Sequence, residues 1–192
     1  MLRIFRRSRL PIWYTEGFNP HPYYSFALAL SLGYESSCEI LDFNLNEEIP
    51  YSEVMDKLNA VMPEGMRITS VAEPKLKITA IAKAKYTFSL AADEAQKLYD
   101  DIRKLLAGES ILIEKKTKKG IKIVDIKPDM EVTQLEYTAG SVNVSMRLPA
   151  GTQTNYNPSL FFEALKSAGT VLFEPRDICR TAILCEDSSV FA

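Results

Sequence analysis

The order of strand and helix patterns in these 192 residues predicts an α+β fold of two ferredoxin-like (βαββαβ) sandwiches in tandem. The first part of the chain shows helix, strand, strand, helix, strand, which is a βαββαβ unit without its N-terminal strand. A short connector follows at 73–77, and a nearly complete βαββαβ pattern with additional strand pairing then begins. We therefore expect domains at 1–74 and 78–185, and a tail at 186–192.

In the first half, the spacing of apolar residues marks each element. Leu2 and Phe5 fall on one face of a short N-terminal helix, and arginines occupy much of the rest. Val54 and Leu58 have the spacing of a helix over 51–62, which Pro63 ends. Alternating or continuous apolar runs predict strands at 25–32, 38–45 and 66–72.

The second half repeats this succession with longer elements. Ala95 and Leu98 begin an apolar stripe that predicts a helix over 93–106. Pro158 suits the first turn of a second helix, over 157–165. Alternating patterns predict six strands, at 83–90, 110–116, 121–126, 132–137, 141–148 and 178–184.

The first strand of a ferredoxin-like sheet is central, so its absence would expose sheet edges in the first half. A partner chain, an exchanged strand or a rearranged sheet would have to fill the gap. We therefore expect a homo-oligomer formed through the sheet edge of the first half, or a less stable first half.

Composition and charge favour a cytoplasmic protein. The hydrophobic fraction is 46% and the charged fraction 25%, and no apolar run approaches the roughly 20 residues that span a bilayer. Arg3, Arg6, Arg7 and Arg9 are not followed by the apolar stretch of a signal peptide. Because the net charge is −2, the chain is not a general polyanion binder. It nevertheless has two basic stretches, the first formed by the N-terminal arginines. The second stretch comprises Lys115, Lys116, Lys118, Lys119, Lys122 and Lys127.

The only histidine lies in the most distinctive segment of the chain. His21 stands between Pro20 and Pro22, and the two prolines favour extended geometry at the residue before each. The segment predicts a stiff recognition loop, with Glu16, Phe18, Asn19 and His21 as its candidate residues. A structural role for His21 and Asn19 through backbone bonds, ligand or RNA recognition, and catalysis are the three alternatives for this loop.

The chain resembles the radical SAM-linked protein family, a bacterial domain fused to or encoded beside radical SAM enzymes. The resemblance rests on Glu16-Gly17-Phe18-Asn19-Pro20-His21-Pro22, Ser25-Phe26-Ala27, Leu32-Gly33-Tyr34-Glu35-Ser36, Glu39-Ile40-Leu41-Asp42, Met62-Pro63-Glu64-Gly65, Asp125-Ile126-Lys127-Pro128 and Arg180-Thr181-Ala182. Members of that family usually begin with a strand and a helix that carries Ser-His-Leu-Asp. Met1 here falls inside the corresponding helix, so roles based on that element are not carried over.

The resemblance implies a radical SAM enzyme as partner. No Cys-x-x-x-Cys-x-x-Cys run occurs in the chain, so the partner would supply the iron–sulfur cluster. Cys38, Cys179 and Cys185 are too scattered for a zinc site or a disulfide framework, and we expect no metal site and no cofactor.

Two basic surfaces are candidates for RNA or phosphate binding. Aromatic residues interleave with the N-terminal arginines, which is typical of a surface that stacks bases. Packing of the aromatics and solvation of the charges are the alternatives. The candidate RNA-binding residues are Arg6, Arg7, Arg9, Lys116, Lys118, Lys119 and Lys122.

Taken together, the residues and the resemblance predict a non-enzymatic accessory protein that presents an RNA or macromolecular substrate to a radical SAM enzyme. Two other functions stay open. One is an enzyme with His21 in a cleft beside Glu16 or Glu35, and the other is a structural subunit that docks a partner.

Overall fold

The computed structural model describes residues 1–117, 120–151 and 154–191, and it confirms the α+β class. The helices of the described residues are α1 (Leu2–Ser8), α2 (Tyr51–Asn59), α3 (Ala95–Ala107) and α4 (Ser159–Ser167). The strands are β1 (Tyr24–Phe26), β2 (Glu35–Ser36), β3 (Leu41–Phe43), β4 (Ile81–Ala91), β5 (Leu112–Thr117), β6 (Gly120–Asp125), β7 (Glu131–Thr138), β8 (Ser141–Pro149) and β9 (Glu174–Cys185). None of these helices is long and apolar enough to cross a membrane.

The chain divides into two units. Unit 1 contains Met1–Ala27 and Glu39–Leu76, and unit 2 contains Leu28–Cys38 and Lys77–Phe191. The sequence places residues 28–38 in the first half, whereas the structure places them with the second.

Unit 1 is built around a small apolar core between its two helices and a short sheet. The ring of Phe5 lies 5.6 Å from that of Tyr24 on β1 and 5.2 Å from that of Phe43 on β3. β1 and β3 pair antiparallel, with Tyr24 opposite Phe43. The buried members of this core are Phe5, Leu10, Ile12, Val54 and Leu58.

The sheet predicted for the first half is not found among the described residues of unit 1. β1 and β3 have three residues each, and the predicted strand at 66–72 does not form. That segment is instead held by the side-chain amide of Asn59, which accepts from the Ile68 N–H at 2.8 Å and donates to its carbonyl oxygen at 3.0 Å. A first ferredoxin-like sandwich, and with it the tandem arrangement, is therefore not established.

Unit 2 contains a five-stranded sheet in the order β2-β9-β4-β8-β7, antiparallel except for the β2–β9 pair. β5 and β6 form a separate hairpin. With that hairpin set aside, β4, α3, β7, β8, α4 and β9 follow one another as βαββαβ. Each strand and helix of this half occurs where the sequence predicts it, with small shifts at the ends.

The two faces of this sheet differ in polarity. Tyr86, Phe88 and Leu90 of β4 are buried, and the Phe88 ring lies 5.0 Å from the Phe162 ring of α4. The residues between them, such as Thr87 and Ser89, belong to the polar face. One face therefore carries the core, because alternate residues of a strand point to opposite sides.

A buried arginine joins the segment Leu28–Cys38 to this sheet. The Arg180 guanidinium donates to the carbonyl oxygens of Leu28 at 2.8 Å and Ala29 at 3.1 Å. The Ser37 N–H donates to the Arg180 carbonyl oxygen at 3.1 Å, and Ser36 lies opposite Arg180 where β2 pairs with β9. These contacts explain why the predicted strand at 25–32 ends at Phe26, since the following backbone is held by β9 instead.

Candidate recognition loop

The predicted recognition loop is a short hairpin-like turn in unit 1. Tyr14 and Pro22 form an isolated antiparallel bridge, and the Thr15 N–H donates to the His21 carbonyl oxygen at 2.9 Å. The turn passes through Gly17, whose φ of 124° is a backbone conformation that side chains with a Cβ rarely adopt. Residues 16–20 therefore form a tip that is held closed at its base.

Thr15 and His21 connect the two arms of the loop. The Thr15 hydroxyl lies 3.1 Å from His21 Nδ1 and accepts from the His21 N–H at 3.2 Å. The sequence did not single out Thr15. The signal that could have revealed it is a hydroxyl residue and a histidine placed on opposite sides of the Gly17 turn.

A further contact of His21 favours one position of the ring proton. Nδ1 lies 3.2 Å from the Asn19 carbonyl oxygen, which can only accept a hydrogen bond. This contact favours the neutral tautomer with the proton on Nδ1, in which Nε2 is the acceptor. The His21 side chain is exposed, so the loop presents this nitrogen as an acceptor.

The structural interpretation of His21 thus agrees with the geometry, since its ring and backbone bond Thr15 and Asn19. Among the described residues, no ion pair or hydrogen bond joins Glu16 to His21. Glu35, the other carboxylate considered for catalysis, lies on β2 in unit 2. The loop geometry therefore shows no carboxylate that orients the imidazole.

The tip of the loop exposes an aromatic ring. Phe18 has a relative exposure of 113%, and Glu16 and Asn19 beside it are also exposed. Tyr14 and Tyr23, at the base of the loop, are 40% and 46% exposed. Packing does not account for Phe18, because a ring this exposed contributes nothing to a core.

Trp13 packs at the base of the loop. Its ring meets that of Tyr23 edge to face, with centroids 5.5 Å apart. Its backbone N–H donates to the Asn44 carbonyl oxygen at 2.8 Å, just beyond β3. The base of the loop is thereby fixed to unit 1, whereas its tip is exposed.

The N-terminal arginines belong to the same unit as the loop. Arg6 and Arg7 are exposed in the last turn of α1. Arg9 ends that helix in a left-handed conformation, with φ of 55°, and is exposed as well. Cations at a helix C-terminus also interact favourably with its dipole, which is a structural reason for their position.

The lysine cluster is described only in part. Lys118 and Lys119 lie outside the described residues. Lys116 belongs to β5, and Lys122 is exposed on β6, with Lys115 opposite it in the ladder. The sequence did not predict that Ile121 and Ile123, on either side of Lys122, are exposed as well.

The cysteines form no disulfide in this structure. Cys38 and Cys179 are half-buried and Cys185 is buried. Within 1–117, 120–151 and 154–191, no three His, Cys, Asp or Glu residues come together in a way that could hold a metal ion.

The chain belongs to the family described as "Uncharacterized protein conserved in bacteria (DUF2344)", whose model matches residues 1–158. No curated protein matches the chain.

Proposed function

We propose that this protein is an accessory binding module that presents an RNA or other macromolecular substrate to a radical SAM enzyme. The observation that supports this proposal most directly is the full exposure of Phe18 at the tip of a loop whose base is held by hydrogen bonds. Exposing a phenylalanine to water is unfavourable in the free protein, and a partner that covers the ring removes this cost.

Single-stranded RNA is the partner whose chemistry suits the exposed side chains of unit 1. Aromatic rings stack on bases regardless of their sequence, and arginines bind phosphates. Phe18, Tyr14 and Tyr23 supply exposed rings, and Arg6 and Arg7 supply exposed cations. The Nε2 lone pair of His21 adds one acceptor for an amino group or a hydroxyl.

The radical SAM enzyme enters this proposal through the family resemblance. The chain lacks the cysteine run that would hold the iron–sulfur cluster, so the proposed division of labour assigns the radical chemistry to the partner and substrate binding to this protein. Capture from the native bacterium, with the bound proteins identified by mass spectrometry, tests this division. We expect a protein that contains Cys-x-x-x-Cys-x-x-Cys among those captured.

RNA binding by the loop is tested with a labelled single-stranded RNA, by fluorescence anisotropy at several salt concentrations. Because one stacked base contributes about 1–3 kcal/mol, we expect Phe18→Ala to weaken binding about 5- to 150-fold. Phe18→Trp is the matched control and should retain affinity, since it keeps an aromatic face. Replacing Arg6 and Arg7 by glutamate should weaken binding and reduce its dependence on salt.

The possible results separate the alternatives. If no RNA binds even at low salt, RNA is not the partner. If a captured protein then depends on Phe18 for binding, the loop is a protein-docking element, as the structural-subunit hypothesis expects.

A further inference from the structure

The polar side chains of the recognition loop carry no positive charge. Glu16, Asn19 and His21 are all exposed. No lysine or arginine occurs from residue 10 to residue 56, and the preceding cations stand at the C-terminal end of α1. A carboxylate repels phosphate, whereas arginines bind it. In an RNA complex, the loop would therefore contact bases and α1 would contact the backbone.

The polar groups at the tip of the loop are not used within the protein. The carboxylate of Glu16 and the side-chain amide of Asn19 make no hydrogen bond or ion pair with any other residue that the structure describes. His21 engages Thr15 and the Asn19 carbonyl oxygen through Nδ1, which leaves Nε2 as an exposed acceptor. A partner thus meets a carboxylate, an amide oxygen and an imidazole nitrogen as acceptors, beside one amide NH₂ donor.

Acceptors in this number require a base that donates. The exocyclic amino groups of adenine, cytosine and guanine each carry two hydrogens, so one such group can donate to two acceptors at once. A ring nitrogen that accepts lies next to each of these amino groups. Uracil has no amino group, and its single ring N–H lies between two carbonyl oxygens, which an approaching carboxylate would also meet.

We propose that the recognition loop selects bases that carry an exocyclic amino group and discriminates against uracil. This inference rests on the proposed binding of single-stranded RNA through Phe18. A base stacked on the Phe18 ring donates one amino hydrogen to the carboxylate of Glu16 and the other to Nε2 of His21. The amide NH₂ of Asn19 donates to the ring nitrogen beside the amino group.

A basic segment of a protein would also donate to these acceptors and cover Phe18. The exposed arginines of α1, which belong to the same unit, favour RNA over such a segment. They would repel a cationic partner, whereas they bind the phosphates of an RNA whose bases reach the loop.

The test compares cytosine with uracil, which have the same ring size and differ at the amino group and the adjacent nitrogen. Fluorescence anisotropy of the full-length protein is measured with labelled oligo(C) and oligo(U) of about eight nucleotides each. Equal lengths give both RNAs the same number of phosphates. We expect oligo(C) to bind about 5- to 150-fold more tightly, which is the discrimination of one well-paired base edge.

Glu16→Gln shows whether the loop is the source of this preference. It replaces a charged acceptor by a neutral one and adds a donor that suits a carbonyl oxygen of uracil, so the preference for oligo(C) should fall about 5-fold. Glu64→Gln removes a charge at another exposed position of unit 1 and should leave the preference unchanged. Base stacking within the free RNAs is the same for every variant, so it cannot change the ratio between them.

The results distinguish this inference from the function on which it rests. If neither RNA binds at low salt, both are wrong. If both RNAs bind equally, or oligo(U) binds more tightly, RNA binding stands and the selection of amino-bearing bases is wrong. A preference for oligo(C) that Glu16→Gln leaves unchanged would also overturn the inference, because the discrimination would then arise outside the loop.

Discussion

At the scale of single residues, Arg180 shows how one side chain decides where a segment belongs. Its side chain is only 1% exposed, and it binds the carbonyl oxygens of two successive residues, Leu28 and Ala29. A planar guanidinium can donate to two such acceptors in a fixed geometry, which a lysine ammonium cannot reproduce. The sequence indicates that Arg180 matters through the family resemblance alone, since its partners lie about 150 positions away.

We expect Arg180→Lys to lower the free energy of unfolding of unit 2 by about 2–4 kcal/mol, because the carbonyls of Leu28 and Ala29 lose their shared donor and a buried charge loses its partners. Arg176→Lys is the matched control in the same strand. Arg176 pairs with Glu174 on the surface, where an ion pair contributes at most about 1 kcal/mol. Urea unfolding, followed by circular dichroism, measures the free energy of unfolding of both variants. Equal losses in the two variants would contradict the role assigned to Arg180.

His21 is a second residue whose contacts give it a structural role, whether or not it also binds a partner. Replacing Thr15 by valine removes the hydroxyl that contacts Nδ1 and accepts from the His21 N–H. We expect faster hydrogen exchange at the His21 amide and a loss of about 1 kcal/mol in stability. Thr69→Val, at an exposed position of the same unit, is the control.

Nitrogen NMR of the imidazole provides a second measurement for the loop. In the native protein and in Thr15→Val alike we expect the neutral tautomer with the proton on Nδ1, because the Asn19 carbonyl oxygen is present as its acceptor in both. His21→Ala separates structure from binding. If it left the melting temperature unchanged but abolished RNA binding, the structural interpretation of His21 would be wrong.

At the scale of elements, the sequence predicts the second half well because its periodic patterns are long. β4 and β8 alternate over many residues with one buried face, and α3 carries a full apolar stripe. A pattern of that length favours one secondary structure over the others. The β5–β6 hairpin is found where the turn at Gly120 and the alternating isoleucines predict it.

The first half is harder to predict because its apolar runs are shared between different partners. The run at 25–32 suggests one strand, but its first residues pair with β3 and its later backbone is bound by Arg180. Nothing within the run marks this division. For the recognition loop, the prolines make its position in the sequence evident. The exposure of Phe18 could not be predicted, because it depends on the surrounding structure.

At the scale of the whole molecule, the two units differ in how much they can bury. Unit 1 has a few short elements around one small core, whereas unit 2 has a larger core on one face of a five-stranded sheet. Smaller units bury a smaller share of their surface and are less stable. Local opening should therefore be more frequent in unit 1.

Hydrogen exchange by NMR tests this difference and the assignment of residues 28–38 together. We expect the amides of β1 and β3 to exchange faster than those of β4, β8 and β9, because the small sheet has only three residues in each strand. The Ser37 amide should be an exception within the first part of the sequence. It donates to the Arg180 carbonyl oxygen in unit 2, so it should exchange at a rate close to that of β9. If Ser37 instead exchanged as fast as β1 and β3, the segment Leu28–Cys38 would not be a stable part of unit 2. Equal protection of β1, β3 and β9 would contradict the difference in stability between the units.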